Sequence, residues 1–181
     1  MANRDLFRLS GIALLLDGLF QAITSFLSPE QFGTLLPLML RNPWSRSTVY
    51  VELSSWFVLT VFGLVGLHIR QAEKVGRLGL IGFMVALLSS ASLTGGRGTV
   101  EAYALGFILL GITTMRAGVL PRLAGLLLIV GTVLTLVPSI GLFLSPSEGL
   151  FVVNSIGRVI FGIAFVWLGY ALWSEKDERA T

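Results

Sequence analysis

The sequence predicts an all-α, polytopic membrane protein of six transmembrane helices in a bundle. Three observations lead there. Of 181 residues, 54% are hydrophobic and only 13% charged, with a mean hydropathy of +0.84, far more apolar than a soluble domain of this size. The apolar residues fall into six long runs, each near the roughly 20 residues that cross a hydrocarbon layer. The basic residues stand singly between those runs, as they do in the loops of membrane proteins.

In chain order the expected spans run from Leu6 to Leu27, Val49 to Ile69, Val75 to Thr94, Thr99 to Met115, Pro121 to Leu144 and Gly149 to Trp173. The first resembles a signal peptide in its opening residues. Asp17 interrupts the apolar run, however, and Ser10 to Leu27 is too long for a cleaved core, so it reads as a retained helix. Gly95-Gly96-Arg97-Gly98 supplies a tight turn between the third and fourth spans. Membrane β-barrels are disfavoured because no ten-residue alternation of apolar and polar residues occurs. Residues 1–173 read as a single transmembrane domain and Ser174 to Thr181 as a short polar cytoplasmic tail.

The first outer loop is the only long one. Gln31 to Leu40 is too apolar for a free loop and too short to span, so it is expected as a short interfacial helix, or as a lid over a pocket, between Pro29 and Pro43. Arg4, Arg8, Arg70, Lys74, Arg77, Arg116, Arg122, Lys176 and Arg179 fall on one side of this topology. Arg41, Arg46 and Arg97 fall on the other, which puts both termini in the cytoplasm of a cell with an inner membrane. Trp44 and Trp173 fit as interfacial anchors. A weak repeat, Arg8-Leu9-Ser10-Gly11, Arg77-Leu78-Gly79-Leu80 and Arg122-Leu123-Ala124-Gly125, suggests three helical hairpins in parallel arrangement.

Ionised side chains in the middle of apolar spans are costly and seek protein or water, which singles out Asp17 and Arg158. Asp17, Gln21, Thr24 and Ser28 share one face of the first helix. On the sixth, Asn154, Arg158 and Gly162 form a stripe, and the glycine leaves room for another helix or a ligand. Counted from the expected outer ends, Asp17 lies about 15 Å deep and Arg158 about 13 Å, which makes a direct ion pair feasible. Such a pair has two readings. It fixes helix packing and binds nothing, or Arg158 presents its planar fork to an anion while Asp17 exchanges a proton or cation. Gln21, Glu52, Ser55 and Asn154 are placed to line a cavity between them, with Glu101 a further acid near the outer surface. Pro138 should kink the fifth span near Thr135 and Ser139.

Several chemistries find no support. There is no cysteine, one histidine and no catalytic serine, zinc or phosphate-loop motif, and no lysine sits within a span to hold a Schiff base. No catalytic or metal residue is therefore assigned, and no cofactor. His68 alone does not make a haem or pigment site, since no second axial ligand stands at a supporting spacing. The net charge of +3 forms no patch with interleaved aromatics, which argues against nucleic acid.

At the cytoplasmic junctions, Arg70-Gln71-Ala72-Glu73-Lys74 with Gly76-Arg77-Leu78-Gly79-Leu80, and Arg116-Ala117-Gly118-Val119-Leu120-Pro121-Arg122, resemble stretches of uncharacterised small multi-pass bacterial integral membrane proteins. That resemblance implies a bacterial inner membrane and no particular activity. Size, span number and terminal placement are also similar to the substrate-binding subunits of energy-coupling-factor vitamin transporters, a likeness of fold alone. The expected role is a non-enzymatic accessory or scaffold subunit partnered by lipid and by other membrane subunits or copies of itself. The alternative is a small-molecule or ion binding or transport protein with an outward-facing polar cavity. The two are separated by whether Arg158 is closed off by Asp17 or left with few partners beside a roomy cavity.

Overall fold

The computed structural model describes residues 2–25, 43–94, 100–144 and 148–174, of which 2–4, 43–56, 92–94, 100 and 141–144 are described in backbone only. Among them are five helices: α1 Ala2–Thr24, α2 Pro43–Thr94, α3 Val100–Ala117, α4 Arg122–Leu144 and α5 Glu148–Trp173. The expectation of six transmembrane helices in three hairpins is corrected to five helices. Four of their segments are long and apolar enough to cross a membrane: Asp5–Thr24, Phe57–Ala91, Arg122–Ile140 and Glu148–Trp173.

The reason lies at Arg70-Gln71-Ala72-Glu73-Lys74, expected as a loop. All five residues favour helix, and the chain runs through them without leaving it. The only non-helical backbone in α2 is at Gly76, with φ 57° and ψ −153°, a conformation open to glycine alone. There the element folds back on itself. His68 and Phe83 stack at 4.4 Å between ring centroids, whereas in a straight helix their residues would be about 22 Å apart.

α3 ends at Gly118, whose φ of +62° turns the chain while its N–H still bonds the Thr114 carbonyl at 3.4 Å. α4 then opens on Pro121, whose carbonyl accepts from the Ala124 N–H at 3.0 Å. The helices pack in a ring: α1 against α2 and α5, α5 against α4, α4 against α3, and α3 back against α2. A core of Leu14, Leu64, Leu67, Phe107, Leu128, Phe165 and Leu168 fills it.

Without water to drive apolar groups together, contact between such helices depends on close packing through small residues. The α1–α5 seam is the clearest case. A Cβ on Gly11 would lie 2.7 Å from the Gly169 carbonyl oxygen, and one on Gly18 would strike that of Gly162. Seven residues separate the members of each set, so two antiparallel helices meet twice at the same interval. On the outside of α1, Leu9, Ile12, Leu16, Leu19 and Ile23 are exposed at helical spacing, with Leu9 61% and Ile23 65% accessible, as suits contact with lipid.

Gln31 to Leu40, Trp44 and the Gly95-Gly96-Arg97-Gly98 turn lie outside the described residues or their described side chains.

Candidate functional site

The α1–α5 seam sets the height of each polar residue. Asp17 precedes Gly18 by one residue, which puts it level with Ile163. Arg158 precedes Gly162 by four, level with Ala22. The two residues are thus offset along the axis by about 7.5 Å at the backbone rather than level. Gly162, whose vacancy suggested a helix or a ligand, is filled by α1 at Gly18.

Asp17 and Arg158 accordingly bond different groups. Asp17 is 1% exposed, on the inner face of α1 as its spacing predicts. Its Oδ2 accepts a 2.6 Å hydrogen bond from the Thr60 hydroxyl on α2, while Oδ1 is buried with no hydrogen-bond partner, although Gln21 lies beside the carboxyl. Arg158 donates from Nη2 to Thr24 Oγ1 at 2.9 Å. The Thr24 hydroxyl in turn donates to the Phe20 carbonyl at 3.0 Å, which leaves its lone pairs aimed at the guanidinium. The expected ion pair does not form.

Arg158 instead lines a cavity of about 300 Å³. Gln21 of α1, Asn154 of α5 and Thr132, Thr135 and Ser139 of α4 supply its polar wall; Tyr103, Ala104, Leu136 and Phe161 supply the apolar one. Pro138, within α4, cannot donate to the carbonyl one turn back, and the polar groups around it interlock. Ser139 donates to the Thr135 carbonyl at 2.6 Å; Asn154 Nδ2 donates to the same carbonyl at 3.0 Å and to Ser139 Oγ at 2.9 Å. The apolar wall is held by ring contacts: Tyr103 to Phe107 at 4.4 Å, Phe107 to Phe161 at 5.1 Å and Phe161 to Phe165 at 4.7 Å. Packed walls and a half-buried guanidinium that makes one hydrogen bond among the described residues suit a small anion with an apolar body.

Of the sequence candidates, Gln21, Asn154 and Arg158 meet at this cavity, and Asp17 lies behind it. Glu52 and Ser55 are on α2, but their side chains lie outside the described residues. Glu101 is exposed at the start of α3, and His68 is half-buried against Phe83. Among the described residues no three His, Asp or Glu side chains converge. Sequence reasoning missed Thr60 and Tyr103. The signal for Tyr103 was there, since a hydroxyl-bearing ring one turn before Phe107 in an apolar helix asks for a polar neighbour. Thr60 gave none, because threonine is common in such spans.

No family model matches the chain, and no curated protein and no solved structure matches it significantly.

Proposed function

We propose that this chain is a non-enzymatic integral membrane protein that binds, for transport or delivery, a small carboxylate with an apolar body in the cavity at Arg158. The observation that carries this reading is the guanidinium itself. It is half-buried, has one neutral hydroxyl for a hydrogen-bond partner among the described residues and faces a cavity with room for a molecule. A planar fork with free donors matches a carboxylate better than any neutral group. The aromatic wall of Tyr103 and Phe161 suits the rest of such a molecule.

The basic residues support an orientation. Arg8, Arg70, Lys74, Arg77, Arg116 and Arg122 gather at the end of the bundle that holds the Gly76 and Gly118 reversals, which we assign to the cytoplasm of a bacterial inner membrane, with both termini. The cavity then sits in the outer half, with Arg158 about 15 Å from the Glu148 end of α5.

The seam glycines do not favour the expected accessory or scaffold role over this reading, since Gly11, Gly18, Gly162 and Gly169 pack against helices of the same chain.

The test is thermal unfolding of the purified protein in detergent with acetate, benzoate, inorganic phosphate or neutral benzamide. Ligand that binds only the folded state raises Tm. Benzoate should raise it and benzamide should not. Equal shifts with the amide, or no shift with any anion, would overturn the proposal.

A further inference from the structure

The buried carboxyl behind the cavity has no role in the binding of an anion by Arg158, and its surroundings suggest one. Asp17 is 1% exposed, accepts a hydrogen bond from Thr60 with Gln21 beside the carboxyl, and has a buried second oxygen with no hydrogen-bond partner within bonding geometry among the described residues. A charge in such a position needs a counter-charge or a proton. Among the described residues, the charged or titratable groups near it on packed elements are Tyr103 of α3 and Arg158 of α5, and the Tyr103 ring lies within electrostatic reach of both. From α2 it meets the neutral Thr60, with His68 two turns further along that helix.

Among the described residues near Asp17, Arg158 is thus the one cation available to two anions, the Asp17 carboxylate and the bound ligand, and its guanidinium bonds Thr24 about 10 Å along α1 from Asp17. We infer that Asp17 takes up a proton when an anion occupies the Arg158 cavity, so that the protein binds anion and proton together.

The charges balance. Without ligand, ionised Asp17 and Arg158 sum to zero. With ligand, the anion and Arg158 sum to zero and Asp17 is neutral, having taken one proton from the aqueous phase onto a carboxylate oxygen. Both states are neutral within the membrane, which is the condition for either to change conformation there without moving net charge through a low-dielectric medium. Binding of the anion alone would leave one uncompensated negative charge among apolar helices. This inference rests on the anion-binding reading above.

It is tested by equilibrium binding of radiolabelled benzoate to the wild type, Arg158→Gln, Asp17→Asn and Tyr103→Phe, from about pH 5 to about pH 9, where benzoate stays ionised. By linkage, uptake of one proton lowers affinity by up to tenfold for each unit of rising pH. The wild type and Tyr103→Phe should show that fall, and Asp17→Asn should bind with a flat profile. A flat wild-type profile, or an Asp17→Asn profile as steep as the wild type, would overturn the coupling. Should Asp17→Asn fail to fold, infrared difference spectra of the wild type and Asp17→Glu with and without benzoate replace it. A protonated-carboxyl band must appear on binding and move in the Glu variant, and its absence would refute the proposal. The two readings fail separately: affinity unchanged in Arg158→Gln defeats the anion site, whereas affinity lost there with a flat wild-type profile defeats the proton alone.

Discussion

Replacing Gly18 by alanine tests the helix register that keeps Asp17 and Arg158 apart. The new methyl would strike the Gly162 carbonyl oxygen and lie 2.8 Å from the Val166 nitrogen and 2.9 Å from Phe165 Cβ. Two of these three are backbone atoms, which no rotamer change can move aside. Ordinary contact begins near 3.4 Å, so α1 and α5 must part by at least about 0.6 Å. A gap of that size forfeits about a quarter to a half of the dispersion attraction along the seam. Overpacking of this kind costs about 1–3 kcal/mol, against which alanine returns up to about 1 kcal/mol of helix propensity. Gly149→Ala is the control, since nothing lies within 4 Å of a methyl there. Unfolding in mixed micelles should place Gly18→Ala about 1–3 kcal/mol below Gly149→Ala. Gly11→Ala combined with Gly18→Ala should destabilise by less than the two separately, because one opening relieves both contacts. Equal stability of Gly18→Ala and Gly149→Ala would refute the close seam and, with it, the offset of the two charges.

Gly76→Ala has room for its methyl but not for its backbone angles, so unfolding should show a loss of about 1–3 kcal/mol despite the empty surroundings. Thr60→Val removes the 2.6 Å hydrogen bond to buried Asp17 at nearly constant volume and should cost about 1–3 kcal/mol in the same assay, while Thr60→Ser should restore most of it. The absence of cysteine makes orientation easy to read: Glu73→Cys should react with an impermeant maleimide only from the cytoplasmic side and Gly149→Cys only from outside, and the reverse pattern would invert the assigned topology.

Much of the architecture was legible in the sequence, because apolar run length alone marks helices that lipid can surround. The last two elements came out almost to the residue: Pro121 to Leu144 was observed as Arg122–Leu144, and Gly149 to Trp173 as Glu148–Trp173. What failed was punctuation. The charged residues from Arg70 to Lys74 marked an interface, and an interface was read as a loop, although every one of them favours helix and a single glycine makes the reversal.

The polar site divided in the same way. Side-chain spacing put Asp17 and Thr24 on the inner face of α1 and aligned Asn154 with Arg158, since those relations are local to one helix. The pairing of Asp17 with Arg158 depended on register between helices far apart in sequence. Counting from expected span ends missed that register by about one turn, whereas the glycines at 11, 18, 162 and 169 fix it through backbone contact. Thr24 and Thr60 were left to bond the two charges separately, and the room between Arg158, Asn154 and the Tyr103 ring became a cavity.

The central claim is that the Arg158 guanidinium receives an anion, and isothermal titration of the purified protein with benzoate, repeated on Arg158→Gln, tests it most directly. A charge-assisted hydrogen bond lost from a sheltered site is worth about 1.5–3 kcal/mol, so the variant should bind about 10- to 100-fold more weakly while keeping the fold of the wild type. Equal affinity in the two proteins would contradict the account.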